Sequence, residues 1–176
     1  VIEHESNVIK KCISKFILKK ADGLVVHTQY EKKCLESLIG KEAQVRSTFH
    51  PTYDILNLSK YDQKSARKKL GLDEDEKVLL FFGFIRLYKG LDVLLKSLPM
   101  VIERLKKVKL LVVGEVWSES VDYKKLAEQS KVLEHVVFNH NYVPNEEVEV
   151  YFKASDVVVL PYKHGTGSGI AQIAYG

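Results

Sequence analysis

The sequence predicts an α/β protein built on a parallel sheet with helices on both faces. Three observations carry that expectation. Short apolar runs alternate with amphipathic segments along most of the chain, which implies right-handed crossovers between neighbouring parallel strands. The runs Val78-Leu79-Leu80-Phe81-Phe82 and Val157-Val158-Val159-Leu160 are apolar throughout, as central strands buried on both faces require. Glycine-bearing loops, Gly83 to Gly90 and Gly165 to Gly169, lead from strand ends directly into helices.

Composition fits this class. The 176 residues are 45% hydrophobic and 28% charged, enough apolar content to bury a core and too much for a disordered chain. A net charge of +4 suits an anionic small ligand or an anionic membrane surface. Without a basic groove or stacking aromatics it does not point to nucleic acid. No apolar run is long enough to span a bilayer, and Val1-Ile2-Glu3-His4-Glu5 does not resemble a signal peptide, so a cytoplasmic location is expected. Cys12 and Cys34 lack metal-site spacing and read as reduced core thiols. The absent initial methionine, and an end at Ala174-Tyr175-Gly176 inside helical pattern, read as a fragment.

The first segment has apolar Ile9, Ile13, Phe16 and Ile17 on one helical face and Lys10, Lys11, Lys15, Lys19 and Lys20 around it, predicting a basic amphipathic helix over 7–20. A short strand over Leu24 to His27 follows. Thr28 with Glu31 then forms a capping box for a helix running through Leu38 to Gly40. Periodicity is lost over Thr48-Phe49-His50-Pro51-Thr52, and a domain boundary is placed there, dividing 1–50 from 51–176. Beyond it the spacing predicts a helix ending near Gly71, a strand over 77–82, and a helix over 91–107 interrupted at Pro99. A strand over 109–113, a helix over 123–130, a strand over 135–138 and a helix over 146–153 follow. A strand over 156–160 and a helix from about Ser168 complete the pattern.

In an open parallel sheet, ligands bind outside the carboxyl ends of the strands. The loop after the 77–82 strand reads Gly83-Phe84-Ile85-Arg86-Leu87-Tyr88-Lys89-Gly90. Arg86 offers a planar fork to phosphate oxygens, Lys89 a compact point charge, and the glycines let backbone approach a bulky anion. A diphosphate site is therefore expected. The loop ending at Thr166, Gly167, Ser168, Gly169 and Ile170 leads into an apolar helix, whose first amides form a second anion cradle. Asn139 to Pro144 reads equally as a plain turn or as a nucleobase contact beside Tyr142 and Val143. Trp117 reads as loop packing before function, and Glu115 as a possible hydroxyl contact only in second place.

These residues resemble the retaining glycosyltransferases of family 4, whose GT-B fold sets two Rossmann-like domains face to face. The resemblance rests on Ala21 to Thr28, Gly83 to Gly90, Ala154 to Pro161, and Ser168-Gly169-Ile170-Ala171-Gln172. It implies that Arg86 and Lys89 are catalytic, binding the donor diphosphate and stabilising the leaving nucleotide. Gly83, Tyr142, Val143, Thr166, Ser168, Gly169, Ile170 and Gln172 complete the implied donor site. It also implies that 1–50 is the end of an acceptor-side domain and 51–176 most of a donor-binding domain. The family's last motif carries two glutamates, whereas here Gly165 or Thr166 stands near the first and Gln172 or Ile173 near the second. That departure resembles a branch carrying Thr-x-Ser-Gly-Ile-Ala-Gln. The family histidine near the reacting sugar is expected upstream of Val1, with His4 close by and His27 packing at its strand end.

The implied activity is metal-independent transfer of a sugar from a nucleotide-diphosphate sugar to a carbohydrate or lipid-linked hydroxyl, with retention and no cofactor. Metal independence rests on cations replacing a divalent ion and on reading the loops as free of an Asp-x-Asp pair. A non-catalytic nucleotide-binding module, or a GT-B epimerase or phosphorylase, fits the same residues. The basic helix allows peripheral attachment to an anionic membrane, although a helix covering a globular core needs no wider apolar face.

Overall fold

The computed structural model describes residues 8–117, 121–165 and 167–176. The chain forms two compact units, one of Val1–Pro51 with His164–Gly169, the other of Thr52–Lys163 with Ile170–Gly176.

The first unit contains α1 (Val8–Lys20), β1 (Leu24–Val26), α2 (Gln29–Ile39) and β2 (Val45–Ser47). The two strands are parallel, with Leu24 opposite Val45 and Val26 opposite Ser47. Three-residue β2 carries one buried side chain, Val45, too little alternation for its sequence to announce a strand. Thr28 caps α2 by accepting from the Glu31 amide at 3.0 Å. The Glu31 carboxylate accepts instead from the His27 amide at 3.1 Å, one residue before the cap. Cys12 and Cys34 are free and exposed rather than core thiols. The reason for Cys34 is that α2 buries none of its residues. On α1, Ile13, Phe16 and Ile17 are each more than half exposed.

The second unit holds α3 (Gln63–Leu70), β3 (Lys77–Phe82), α4 (Leu91–Arg104), β4 (Val108–Val113), α5 (Tyr123–Gln129), β5 (Val136–Asn139), α6 (Asn145–Ala154) and β6 (Val157–Val158). It ends on α7 (Gly169–Tyr175), all but its first residue. The four strands form one parallel sheet in the order β5-β4-β3-β6. Side chains alternate across it. Val78, Leu80, Phe82, Leu111 and Val113 pack with Ala66 of α3 and with Val148, Tyr151 and Ala154 of α6. Phe81, Leu110 and Val112 pack on the other face with α4 and α5. Helix α4 presents Leu91, Leu94, Leu95 and Leu98 at helical spacing, and all four are buried. These anchors stand before Pro99, which costs one amide donor but does not break the helix.

Among the described residues, the Val157 to Leu160 run lies at the edge of the sheet. β6 pairs over two residues on the outer flank of β3, and Val157 is 52% exposed. Apolar content reports that a segment avoids water, not which neighbours it pairs with. A cleft of about 480 Å³ lies along this flank, lined by residues including Tyr53, Phe152, Val157, Ile173 and Tyr175.

The amino end of the sheet is held by a part-buried ion pair whose cation is the buried partner. Arg67 is 4% exposed, and its guanidinium donates to the Asp156 carboxylate at 2.7 Å, the Ala154 carbonyl at 3.0 Å and the Glu74 carbonyl at 2.6 Å. The same Asp156 oxygen accepts from the Val78 amide of β3 at 2.7 Å. Removing the acid strands a buried cation and a strand amide together, which is more costly than the pair itself is stabilising. Asp156→Ala is therefore expected to lower the unfolding free energy by about 3 kcal/mol in urea titration. A loss below about 1 kcal/mol would show the pair to be dispensable.

Candidate functional site

At the opposite, carboxyl end, β3 runs out at Phe82 and the chain enters the loop that carries both expected cations. The loop is tied to its neighbour after β4. The Ile85 amide donates to the Glu115 carbonyl at 2.7 Å, the Trp117 amide donates to the Ile85 carbonyl at 3.0 Å, and Ile85 pairs with Val116 as an isolated bridge. This approach requires glycine at 114, where φ is +132° and a Cβ would sit 2.5 Å from the Gly83 carbonyl oxygen. Leu87–Lys89 form one 3₁₀ turn, closed by Gly90 in the left-handed conformation as α4 begins. A Cβ on Gly90 would lie 2.0 Å from the Pro161 carbonyl oxygen, so the loop after β6 presses directly on the start of α4.

This geometry buries Lys89 to 9% exposure. Its ammonium lies beside Gly83 and Ile170: a Cβ built on Gly83 would be 3.1 Å from Lys89 Nζ and 3.2 Å from Ile170 Cδ1. The Tyr162 ring centroid is 5.9 Å from the same nitrogen. Among the described residues, no carboxylate lies within ion-pair distance of Lys89 or Arg86. Burial first, and the Arg86 charge second, pull the Lys89 ammonium down to about 8. Arg86 is half-buried, with its guanidinium 4.5 Å from the Trp117 ring centroid. Nearby, Lys163 differs from both cations, since it is paired with Asp92 at 2.8 Å.

The structure thus brings Gly83, Arg86, Lys89 and Ile170 together. It does not join Tyr142 and Val143 to them directly. Their loop follows β5, two strands from β3, or roughly 10 Å at the usual strand spacing. Val143 packs on the core below the sheet, and Tyr142 is 64% exposed. The Gln172 carbonyl accepts from the Tyr53 amide at 3.4 Å within the second unit. Ser168 and Gly169 belong to the segment grouped with the first unit. Thr166 and His4 lie outside the described residues. His27, in the first unit, packs its ring 4.6 Å from that of His50.

Sequence reasoning missed two neighbours of the cations, Trp117 and Tyr162. Trp117 is 59% exposed and packs on Phe84 rather than under a loop. The signal was available: β3 and β4 pair with Phe82 opposite Val113, so residues three or four beyond each end face one another. The reading of the loops as free of Asp-x-Asp is also corrected, because Asp73-Glu74-Asp75 precedes β3. That triplet stands at the amino end of the strand, about 20 Å from the cations. Glu74 pairs with Lys64 and Asp75 with Lys107 there. Among the described residues, no group of three or more His, Cys, Asp or Glu side chains is placed to hold a metal. No described helix is long and apolar enough to cross a membrane.

Comparison with known proteins agrees with this architecture. A D-inositol 3-phosphate glycosyltransferase of Segniliparus rotundus is 30% identical over 160 residues, 89% of this chain but 35% of that protein. Among solved structures, sucrose-phosphate synthase of Thermosynechococcus elongatus superposes with a TM-score of 0.74 at 22% identity, over 97% of this chain and 43% of that one. Anabaena Alr3699/HepE, solved in complex with UDP and glucose, gives 0.69 at 17% identity over 87% and 41%. The chain therefore spans about a third of its curated relative's length, and the α/β architecture with parallel sheets is that of GT-B glycosyltransferases. Residues 62–173 match the glycosyl transferases group 1 family, and this chain belongs to it.

Proposed function

We propose that the whole protein transfers a sugar from a nucleotide-diphosphate sugar to an acceptor hydroxyl, with retention and without a metal ion, as a family 4 enzyme. One observation carries this reading: a buried lysine with no carboxylate partner among the described residues stands beside an arginine at the carboxyl end of the central strand. Burying an unpaired ammonium next to another cation is unfavourable in the free protein. A bound dianion removes both penalties at once.

The chemistry follows from that charge. When the bond between the sugar's anomeric carbon and the diphosphate breaks, the electron pair stays on the phosphate oxygen. Lys89 and Arg86 stabilise that developing charge more than they stabilise the intact donor, which is how fixed cations raise a rate. The acceptor oxygen bonds to the anomeric carbon on the face the diphosphate leaves, and its proton passes to the departing oxygen. The exposed apolar side chains of α1, set among Lys15, Lys19 and Lys20, support contact with an anionic membrane surface carrying a lipid-linked acceptor.

Two outcomes test the site. Arg86→Ala with Lys89→Ala in the full-length protein is expected to abolish stabilisation by nucleoside diphosphates in a thermal-shift screen. Turnover should fall by about a thousandfold or more. Normal turnover in that variant would refute the assignment.

The second outcome concerns pH. Lys89 is held near 8 in the folded chain against 10.5 ordinarily. Below pH 8 both states keep the proton and the folded state bears the full penalty. Between 8 and 10.5 the unfolded chain binds more protons, so the penalty fades as pH rises. Lys89→Met is therefore expected to unfold at higher denaturant concentration than the native sequence at pH 7, by up to about 3 kcal/mol. This gain should vanish near pH 10.5. Donor affinity in the unaltered protein should weaken above pH 8. An affinity that stays flat from pH 7 to 10 would remove Lys89 from the diphosphate site.

A further inference from the structure

We propose that Trp117 is a positioning residue for Arg86, holding its guanidinium at the carboxyl end of the sheet without neutralising it. The inference rests on the donor reading above. A free arginine in a loop samples many rotamers, and ordering it costs on the order of 2 kcal/mol. The usual device for fixing one is a carboxylate, which would occupy the N–H fork and cancel the charge a diphosphate needs. Among the described residues, no carboxylate pairs with Arg86. The contact found instead is with the face of an indole, 4.5 Å from guanidinium carbon to ring centroid. The π face attracts the cation and takes up no carboxylate-type hydrogen bond, so the charge and the fork remain for the ligand.

The indole is itself built into place. Its amide is bonded to the Ile85 carbonyl at 3.0 Å, Ile85 is fully buried, and Phe84 packs on the ring at 4.7 Å between centroids. Burial does not explain its presence, since 59% of Trp117 remains exposed. A large aromatic anchored through its backbone, left open to water and set against a cation with no carboxylate partner among the described residues has the arrangement that a support for that cation needs.

Trp117 is the sole tryptophan of these 176 residues, and in the full-length protein its emission is taken as the difference between the unaltered protein and Trp117→Phe. In the full-length protein, inorganic pyrophosphate, UDP and GDP are titrated by calorimetry and by tryptophan fluorescence. Trp117→Ala is expected to weaken pyrophosphate binding about tenfold, and Trp117→Phe by less than about threefold. In an Arg86→Met background, Trp117→Ala should add no further loss. Ligand should change this Trp117 component in the unaltered protein but not in an Arg86→Met background. A merely structural role would lower the melting temperature in both backgrounds and leave affinity alone. Unchanged affinity in Trp117→Ala, or an equal loss in both backgrounds, overturns the inference while the donor reading stands. If none of the three probes binds the unaltered protein, the donor reading falls and this inference with it. Should Trp117→Ala fail to fold, the affinity of Trp117→Phe and the Trp117 component of the emission decide. A ligand that binds without altering that component then counts against the proposal.

Discussion

The ion pair between buried Arg67 and Asp156 is the constraint on which the sheet's geometry depends. Strand β6 pairs with β3 over two residues only, and two such strands would slip if backbone bonds alone held them. The Asp156 carboxylate fixes the start of β6 to the first buried residue of β3, while Arg67 ties both to α3 and to the end of α6. A parallel ladder has one register once its amino end is pinned. The loops at the far end are therefore delivered to fixed positions, and Pro161 arrives against Gly90 with no space for a side chain between them.

That placement opposes a second, unfavourable interaction. The 3₁₀ turn and the left-handed Gly90 drive Lys89 inward while the hydrophobic face of α4 closes beneath it. The ammonium loses water and gains Arg86 as a neighbour, with no carboxylate among the described residues to offset either. The core on both faces of the sheet carries this cost. Stability is thus concentrated at the amino end and strain at the carboxyl end, the division expected when a site is preorganised for a ligand that arrives later.

How much of this was legible in the sequence depends on how local the cause is. β3 and β4 are apolar over consecutive residues, α4 repeats leucine at helical spacing, and Arg86, Lys89 and Gly90 sit where a strand meets a helix. Each of these signals lies within about ten residues. β6 was read as central because its composition is right, but its partners are set by distant residues, and the outer flank carries no strand among the described residues. The exposure of Cys12 and Cys34 was missed because a thiol's burial depends on whether its helix face meets a core, and α2 buries nothing. Trp117 and Tyr162 were missed as neighbours of the cations because those contacts cross between strands separated by about thirty or more residues of chain. The corrected Asp-x-Asp reading shows the converse: the triplet is present in the sequence, and only the strand's direction tells that it faces away from the cations.

The depressed ammonium of Lys89 also changes what the chain would do with an electrophile. At pH 7 a group near 8 leaves roughly a tenth of its molecules as free amine, whereas an ordinary lysine near 10.5 leaves only about one in three thousand. Lys64, Lys69 and Lys107 are pushed further from that state by their own partners. Mild acylating or carbamylating reagents small enough to reach the space beside Gly83 would therefore meet more free amine at Lys89 than at an ordinary lysine. The burial that readies this cation for an anion also raises the share of it that stands as free amine.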